Sequence, residues 1–303
     1  MTTLHDDKEA RQGIASPYTP WPVATAYRIE DGAIVESEDE RGPYRPLEHP
    51  DVLFEFAKID GSPHSVLEYV RRWGLLGRLE VYVGSTFGEV ATDLRTNEPE
   101  RRTASGPETV GWITAHVTGV RKLLKLTELF LDAKRHGNTD ALAGWLSNQD
   151  EAGAVMGSQA GSRPRHFTLA DPWPPGYEKP SAMLQADAIL SSSITVELTS
   201  VSYGLHPLVD LYGPPGDLAL GPVLRAPLQA IYHHLGRLVV GELRFDRCAA
   251  PDCRHYFRVV DARMEYCPFP VDPLSQHRGR SRCATRHRLQ RRRGNVKNAP
   301  LIE

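Results

Sequence analysis

Cysteine occurs four times in 303 residues and only near the C-terminus, at Cys248, Cys253, Cys267 and Cys283. Random scatter would place all four beyond position 247 about once in a thousand draws, so the clustering asks for a chemical cause. The spacing Cys-x4-Cys-x13-Cys-x15-Cys sets two pairs of sulfurs on either side of a turn-containing stretch. Zinc suits such a set, because it prefers four tetrahedral ligands and a tight knuckle aims two thiolates the same way. The last gap is long and Pro-rich, which leaves His277 or His287 as alternatives to Cys283 for the fourth position. The competing readings are buried free thiols, or disulfides in an oxidising setting.

Between the pairs, His255-Tyr-Phe-Arg-Val259 and Met264-Glu-Tyr266 alternate around Asp261-Ala262-Arg263. That pattern predicts a small hairpin that returns Cys267 to the first knuckle, with Phe257 and Tyr266 covering the apolar side of the metal. A unit this poor in aliphatic residues cannot build an adequate core, so the ion would supply most of its folding free energy.

The net charge of −2 conceals two unlike parts. Residues 242–303 hold 14 Lys and Arg against 7 Asp and Glu, while the rest holds 22 against 31. From His277 to Lys297 there are nine basic residues and no acidic one. A solvated tail is the plain reading of such a run; beside a metal cluster it is also the electrostatic footprint of a nucleic-acid binder. Arg278, Arg280, Arg282, Arg286, Arg288, Arg291, Arg292 and Arg293 are the candidate contacts, since a guanidinium forks onto two phosphate oxygens or onto guanine O6 and N7. Gly294 is placed as the C-cap of the helix carrying them.

Arg247-Cys-Ala-Ala-Pro-Asp-Cys253, Tyr256-Phe257, Tyr266-Cys267 and the Arg-rich segment after Cys283 together resemble the CGNR-type zinc finger. That module ends bacterial transcription regulators with a mostly helical N-terminal domain. The resemblance implies zinc-dependent DNA binding, with Cys248, Cys253, Cys267 and Cys283 as ligands. The chain departs from the family pattern in two ways: Ala284-Thr285-Arg286, not Gly-Asn-Arg, follows the final cysteine, and the last two cysteines are farther apart.

The elements that must carry this module are mostly helical. Tyr27 to Glu36 alternates around Asp31-Gly32, a hairpin signal. Helices are expected from His49 to Ile59, then from Ser62 as N-cap to Gly74. The longest runs from Pro107 to His136, with Val110, Ile113, Val117, Val120, Leu124 and Leu131 on one face and Arg121, Lys122, Lys125 and Glu128 on the solvated side. After a Gly-, Ser- and Pro-rich loop at about 150–180 come a helix over Ser181–Leu190, a β-branched strand over Ile194–Leu198 and a break at Gly213-Pro-Pro-Gly216. A final helix spans Pro222–Val240. Its His233 and His234 lack acidic or cysteine partners at ligand spacing and read as exposed or core-edge residues.

No HExxH, Walker A, GxSxG or GxGxxG appears, and no cysteine before position 248 could serve as a nucleophile. An N-terminus without a secretory pattern and the absence of a long apolar run predict a cytoplasmic protein with no membrane span. The fold class expected is α+β: a mainly helical large domain over 25–241 with a few short strands, a mobile arm over 1–24, and a zinc-stabilised hairpin-and-helix module over 242–303. The function expected is a zinc-dependent DNA-binding regulator whose large domain senses a small-molecule effector or forms a homodimer. The alternatives are a protein-interaction module and an enzyme whose site lies in the large domain.

Overall fold

The computed structural model describes residues 21–77, 108–148, 154–156, 165–167, 181–198, 202–207, 218–224, 227–253, 255–274 and 281–297. Of the expected N-terminal arm, residues 1–20 lie outside these. Trp21–Ala24 is strand β1 instead, paired antiparallel with β4 (Glu40–Tyr44). Gly74 makes this possible: its φ is +73°, and a Cβ there would come within 2.9 Å of the Pro22 carbonyl oxygen. With that space open, Trp21 Nε1 donates to the Leu75 carbonyl at 3.0 Å and fastens the strand to the end of a helix.

Between β1 and β4, β2 (Tyr27–Glu30) and β3 (Ala33–Glu36) form the predicted hairpin. Asp31 and Gly32 both take positive φ, 50° and 79°, as a two-residue turn between twisted strands requires. Helix α1 (Asp51–Ala57) follows, buried over Val52–Ala57. Even Glu55 is covered; Lys58 Nζ at 2.6 Å and Arg72 NH1 at 3.0 Å neutralise it. In α2 (Pro63–Trp73) the Ser62 side chain caps Ser65 N–H, and the helix stops at Gly74, as the sequence predicts.

Helix α3 (Val110–His136) is the packing spine. The Thr109 side chain caps Trp112 N–H, and Gly137 ends the helix in the left-handed region. Ile113, Val117, Val120 and Leu124 are buried as expected, but so are Leu123, Leu126, Thr127 and Phe130, because the helix is covered on more than one side. Two of its predicted solvated residues are structural instead. Arg121 Nε and NH2 donate to the carbonyls of Ala57 and Ile59 at 2.7 and 2.5 Å, closing the C-terminal end of α1. Glu128 belongs to the contact with the cysteine module described below.

Helix α4 (Asp140–Ser147) packs its buried Leu142 and Trp145 inward. Most of the predicted 150–180 loop lies outside the described residues; β5 (Ala154–Met156) and β6 (Arg165–Phe167) within it pair antiparallel. The strand expected at Ile194–Leu198 does not form. Helix α5 (Ala182–Leu198) continues through it, with Ala186, Ile189, Leu190 and Ser193 buried in contact with α3 and its neighbours. Tertiary packing of that face overrides the β-propensity of a short Ile-Thr-Val run. The Gly213–Gly216 break falls outside the described residues, between β7 (Ser202–Pro207) and its antiparallel partner β8 (Leu218–Val223). The last large-domain helix, α6 (Pro227–Val239), starts later than expected, because β8 takes up Pro222.

His234, expected at the core edge, is fully buried on α6, its Nε2 donating to the Pro46 carbonyl at 3.1 Å. Burial pushes its pKa down to about 3, and likewise that of buried His116, beside Tyr232, to about 4. Each ring is neutral when folded and protonates near its ordinary value of 6.5 when unfolded, so the folded state binds fewer protons below that pH. The contribution is complete above pH 6.5 and falls as the pH drops toward the folded values. The histidine contribution to the thermal midpoint is therefore expected to hold level above pH 6.5 and to fall between pH 6.5 and 5, each histidine costing up to about 1.4 kcal/mol per pH unit. His234→Gln should flatten that fall, as differential scanning calorimetry at stepped pH would register.

Candidate metal centre

The cysteine module begins where α6 ends. Gly241 takes φ +83°, and the chain turns into β9 (Phe245–Arg247), which pairs antiparallel with β10 (Tyr256–Arg258). This differs from the predicted hairpin. Met264–Tyr266 is not a strand; the partner of Tyr256–Phe257 lies before the first cysteine rather than after the Asp261 turn. The turn itself is present, with Met264 N–H bonded to the Asp261 carbonyl, and it still returns the chain to the knuckle. Ala249 N–H donates to the Glu265 carbonyl at 2.8 Å, and Cys267 N–H to Cys248 Sγ at 3.4 Å.

The first knuckle is fixed by two backbone bonds, Cys248 N–H to the His255 carbonyl and Cys253 N–H to the Ala250 carbonyl. The fourth sulfur arrives on α7 (Arg282–Lys297). Ser281 sets its place: Ser281 Oγ donates to the Cys267 carbonyl at 2.7 Å and accepts from Ala284 N–H at 3.1 Å, capping the helix while tying its first turn to the third cysteine. Cys283 thus meets Cys267 at 3.5 Å. His287, one turn on, meets Tyr266 Oη at 2.7 Å instead of the sulfurs, and His277 lies outside the described residues.

The four Sγ atoms lie within 4.8 Å of one another, with Cys253–Cys267 at 3.7 Å. Sulfurs bound to one tetrahedral ion at a metal–sulfur distance of about 2.3 Å stand about 3.8 Å apart, whereas a disulfide needs about 2.05 Å. All four cysteines are free thiols, and their spacing fits a single ion. Phe257, 1% exposed, and Ala250 complete the small core around them, with Tyr266, Val259 and Met264 at its edge.

The electrostatics favour a cation. Burial pushes Cys283 up to about 11; it raises Cys267 further, with sharing between the two sulfurs and the charge of Cys253 adding to the effect. Burial opposes ionisation of Cys248 too, but the N–H groups of Cys267 and Ala250 outweigh it and hold that thiol below its ordinary value. Four thiolates cannot share this space without a compensating positive charge, so a cation held there would expel protons and bind more tightly as pH rises.

The arginines fall into four groups. Arg282 and Arg288 are exposed, Arg282 lying 5.6 Å over the Phe269 ring. Arg286 pairs with Asp252 of the first knuckle, a partner not foreseen from the sequence. Arg291, Arg292 and Arg293 follow on α7, which runs through Gly294 to Lys297 instead of ending there. One glycine inside a helix costs about 1 kcal/mol and does not by itself force a stop. Arg278 and Arg280 lie outside the described residues.

The module is docked, not appended. Phe245 stacks on Phe54 of α1, Arg258 approaches Asp51 at 4.0 Å, and Arg41 of β4 holds Asp272 at 2.7 Å. Glu128 of α3 receives Arg247 NH2 at 2.7 Å and Tyr256 Oη at 2.9 Å. No sequence signal marks these pairs, because each joins residues more than a hundred positions apart.

What the fold and site define is an α+β chain with a four-cysteine cluster compatible with a structural metal. No protein-family model, no curated protein and no solved structure matches the chain. Among the described residues, no helix is long and apolar enough to cross a membrane.

Cys267 touches two other sulfurs and its backbone N–H reaches a third. With about 10–16 kcal/mol shared among four ligands, Cys267→Ser is expected to weaken metal binding by about 100- to 1000-fold. Elemental analysis of the purified variant and chelator competition would measure the loss.

Proposed function

We propose that the chain is a zinc-stabilised DNA-binding regulator. The observation that carries this reading is that α7 holds a cysteine of the cluster in its first turn and bears seven basic residues and no acidic one. A run of guanidinium groups carried on a helix whose first turn is anchored suits the phosphates of duplex DNA, because less backbone freedom remains to be lost on contact. The resemblance of Arg247–Cys253, Tyr256-Phe257, Tyr266-Cys267 and the Arg-rich segment to CGNR-type zinc fingers supports the same reading.

Zinc is the metal proposed, since four thiolates at single-ion spacing match its structural sites and leave no room for an iron–sulfur cluster. When bound, it would neutralise the thiolates and fix the knuckle. Cys248, Cys253, Cys267 and Cys283 would hold it; Ser281 keeps the fourth in place. Arg282 and Arg288, with Arg291, Arg292 and Arg293, would then supply affinity, whereas Arg286 is committed to Asp252. The acidic large domain would sense a small molecule or dimerise, and the reduced thiols suit the cytoplasm.

The test is a titration of labelled mixed-sequence duplex DNA with zinc-loaded protein over a range of salt concentrations. Binding should weaken linearly in log salt, and Arg288→Gln/Arg292→Gln/Arg293→Gln should lower the slope by about 2.7, or about 0.9 per lost phosphate contact. No binding at low salt by protein of full zinc content would remove the DNA reading and leave α7 as a protein-interaction surface.

A further inference from the structure

Strand β10 presents its residues alternately to two sides. Phe257 faces the sulfurs; Tyr256 and Arg258, on either side of it, face the large domain, where they meet Glu128 and Asp51. Across the pair, Tyr256 stands opposite Arg247, the residue immediately before Cys248. Both converge on one oxygen. Glu128 Oε2 accepts from Arg247 NH2 at 2.7 Å, Tyr256 Oη at 2.9 Å and Lys125 Nζ at 2.9 Å. The Arg247 guanidinium also lies 4.8 Å over the Tyr256 ring and bonds its hydroxyl at 2.5 Å, so the three side chains form a closed triangle. An open cleft of about 700 Å³ runs alongside, lined by Glu128, Asp132 and Arg135 of α3 and by Arg244, Phe245 and Arg247 of the module.

We infer that Glu128 is a positioning residue that couples metal occupancy of the four cysteines to the seating of the module on α3. The inference rests on the metal reading above and adds its regulation. Metal holds Cys248, and Cys248 holds Arg247 and Tyr256 through the Cys248 N–H bond to His255 and the β9–β10 register. Their alignment decides whether both donors reach Glu128 together. The relation is reciprocal: a protein whose triangle is intact binds metal more tightly, and a metal-loaded module grips α3 more firmly. A ligand or partner that entered the cleft and took the Glu128 carboxylate would loosen the metal site without touching a cysteine.

The test uses the full chain. Zinc affinity is measured by competition with a chromophoric chelator for wild type, Glu128→Gln, Tyr256→Phe, the double variant and Tyr44→Phe. Tyr44→Phe is the control, removing a hydroxyl bond made wholly within the large domain, Tyr44 Oη to the Trp73 carbonyl. The expected result is about tenfold weaker zinc binding in Glu128→Gln, of the order found for outer partners of metal ligands. Tyr256→Phe should show a smaller loss, the double variant less than the product of the two, and Tyr44→Phe none. Hydrogen exchange supplies the converse: removing zinc should speed exchange over residues 125–131 of α3 in wild type but not in Glu128→Gln. Should Glu128→Gln fail to fold, Tyr256→Phe and the exchange measurement on wild type decide. Wild-type protein that binds no metal would overturn the metal reading itself. Tight zinc binding that is equal within twofold in wild type and both single variants, or equally weakened in Tyr44→Phe, would overturn the coupling alone.

Discussion

Four sulfurs drawn within 4.8 Å of one another are the constraint on which the C-terminal part of the chain depends. The core there consists of three buried cysteines, Ala250 and Phe257, too little apolar area to hold the short strands and turns around it. Without a cation, burial holds Cys267 and Cys283 protonated, and thiol–thiol hydrogen bonds are weak. With a divalent ion the same geometry becomes four strong bonds. The knuckle, the Asp261 turn and the capped start of α7 each deliver one or two sulfurs.

The second constraint is that this small core has no independent outer surface. Phe245, Tyr256, Val271 and Leu274 pack against the large domain's core, and the ion pairs to Asp51, Glu128 and Arg41 ring that contact. Of these, the Glu128 cluster has the best prospect of contributing energy, because its carboxylate is partly buried and accepts three donors, whereas an isolated surface pair contributes little. Burial opposes ionisation of Glu128, but its hydrogen bonds from Lys125, Tyr256 and Arg247 outweigh that and hold the carboxyl below its usual range. An acidic large domain beneath a basic module is the same complementarity at larger scale.

What the sequence revealed was local. The ends of α2 and α3 were legible because Ser62, Gly74, Thr109 and Gly137 cap them, and the β2–β3 turn because Asp31-Gly32 tolerates positive φ. The four sulfurs were legible because metal ligation constrains residue type more strongly than burial does. What stayed hidden was set by distant partners. Ile194–Leu198 reads as strand until α5 is seen buried in contact with α3 and α6. Glu128 sits among Lys122 and Lys125 at solvated-helix spacing, yet its partner Arg247 is 119 residues away. The pairing of β9 with β10 was masked by a more obvious turn at Asp261, whose second arm makes its single bond to Ala249 without forming a ladder.

The position of α7 follows from these two constraints together. Its first turn is held by Ser281 and Cys283, its second by the Arg286–Asp252 pair and the His287–Tyr266 bond, and all four partners belong to the cysteine module. Among the described residues, these fastenings fall in the N-terminal half of the helix. Leu289 is 51% exposed, and Arg282 and Arg288 are exposed as well. A helix with so little apolar area would be marginal by itself in water. It is ordered where Ser281 and Cys283 tie its first turn to Cys267.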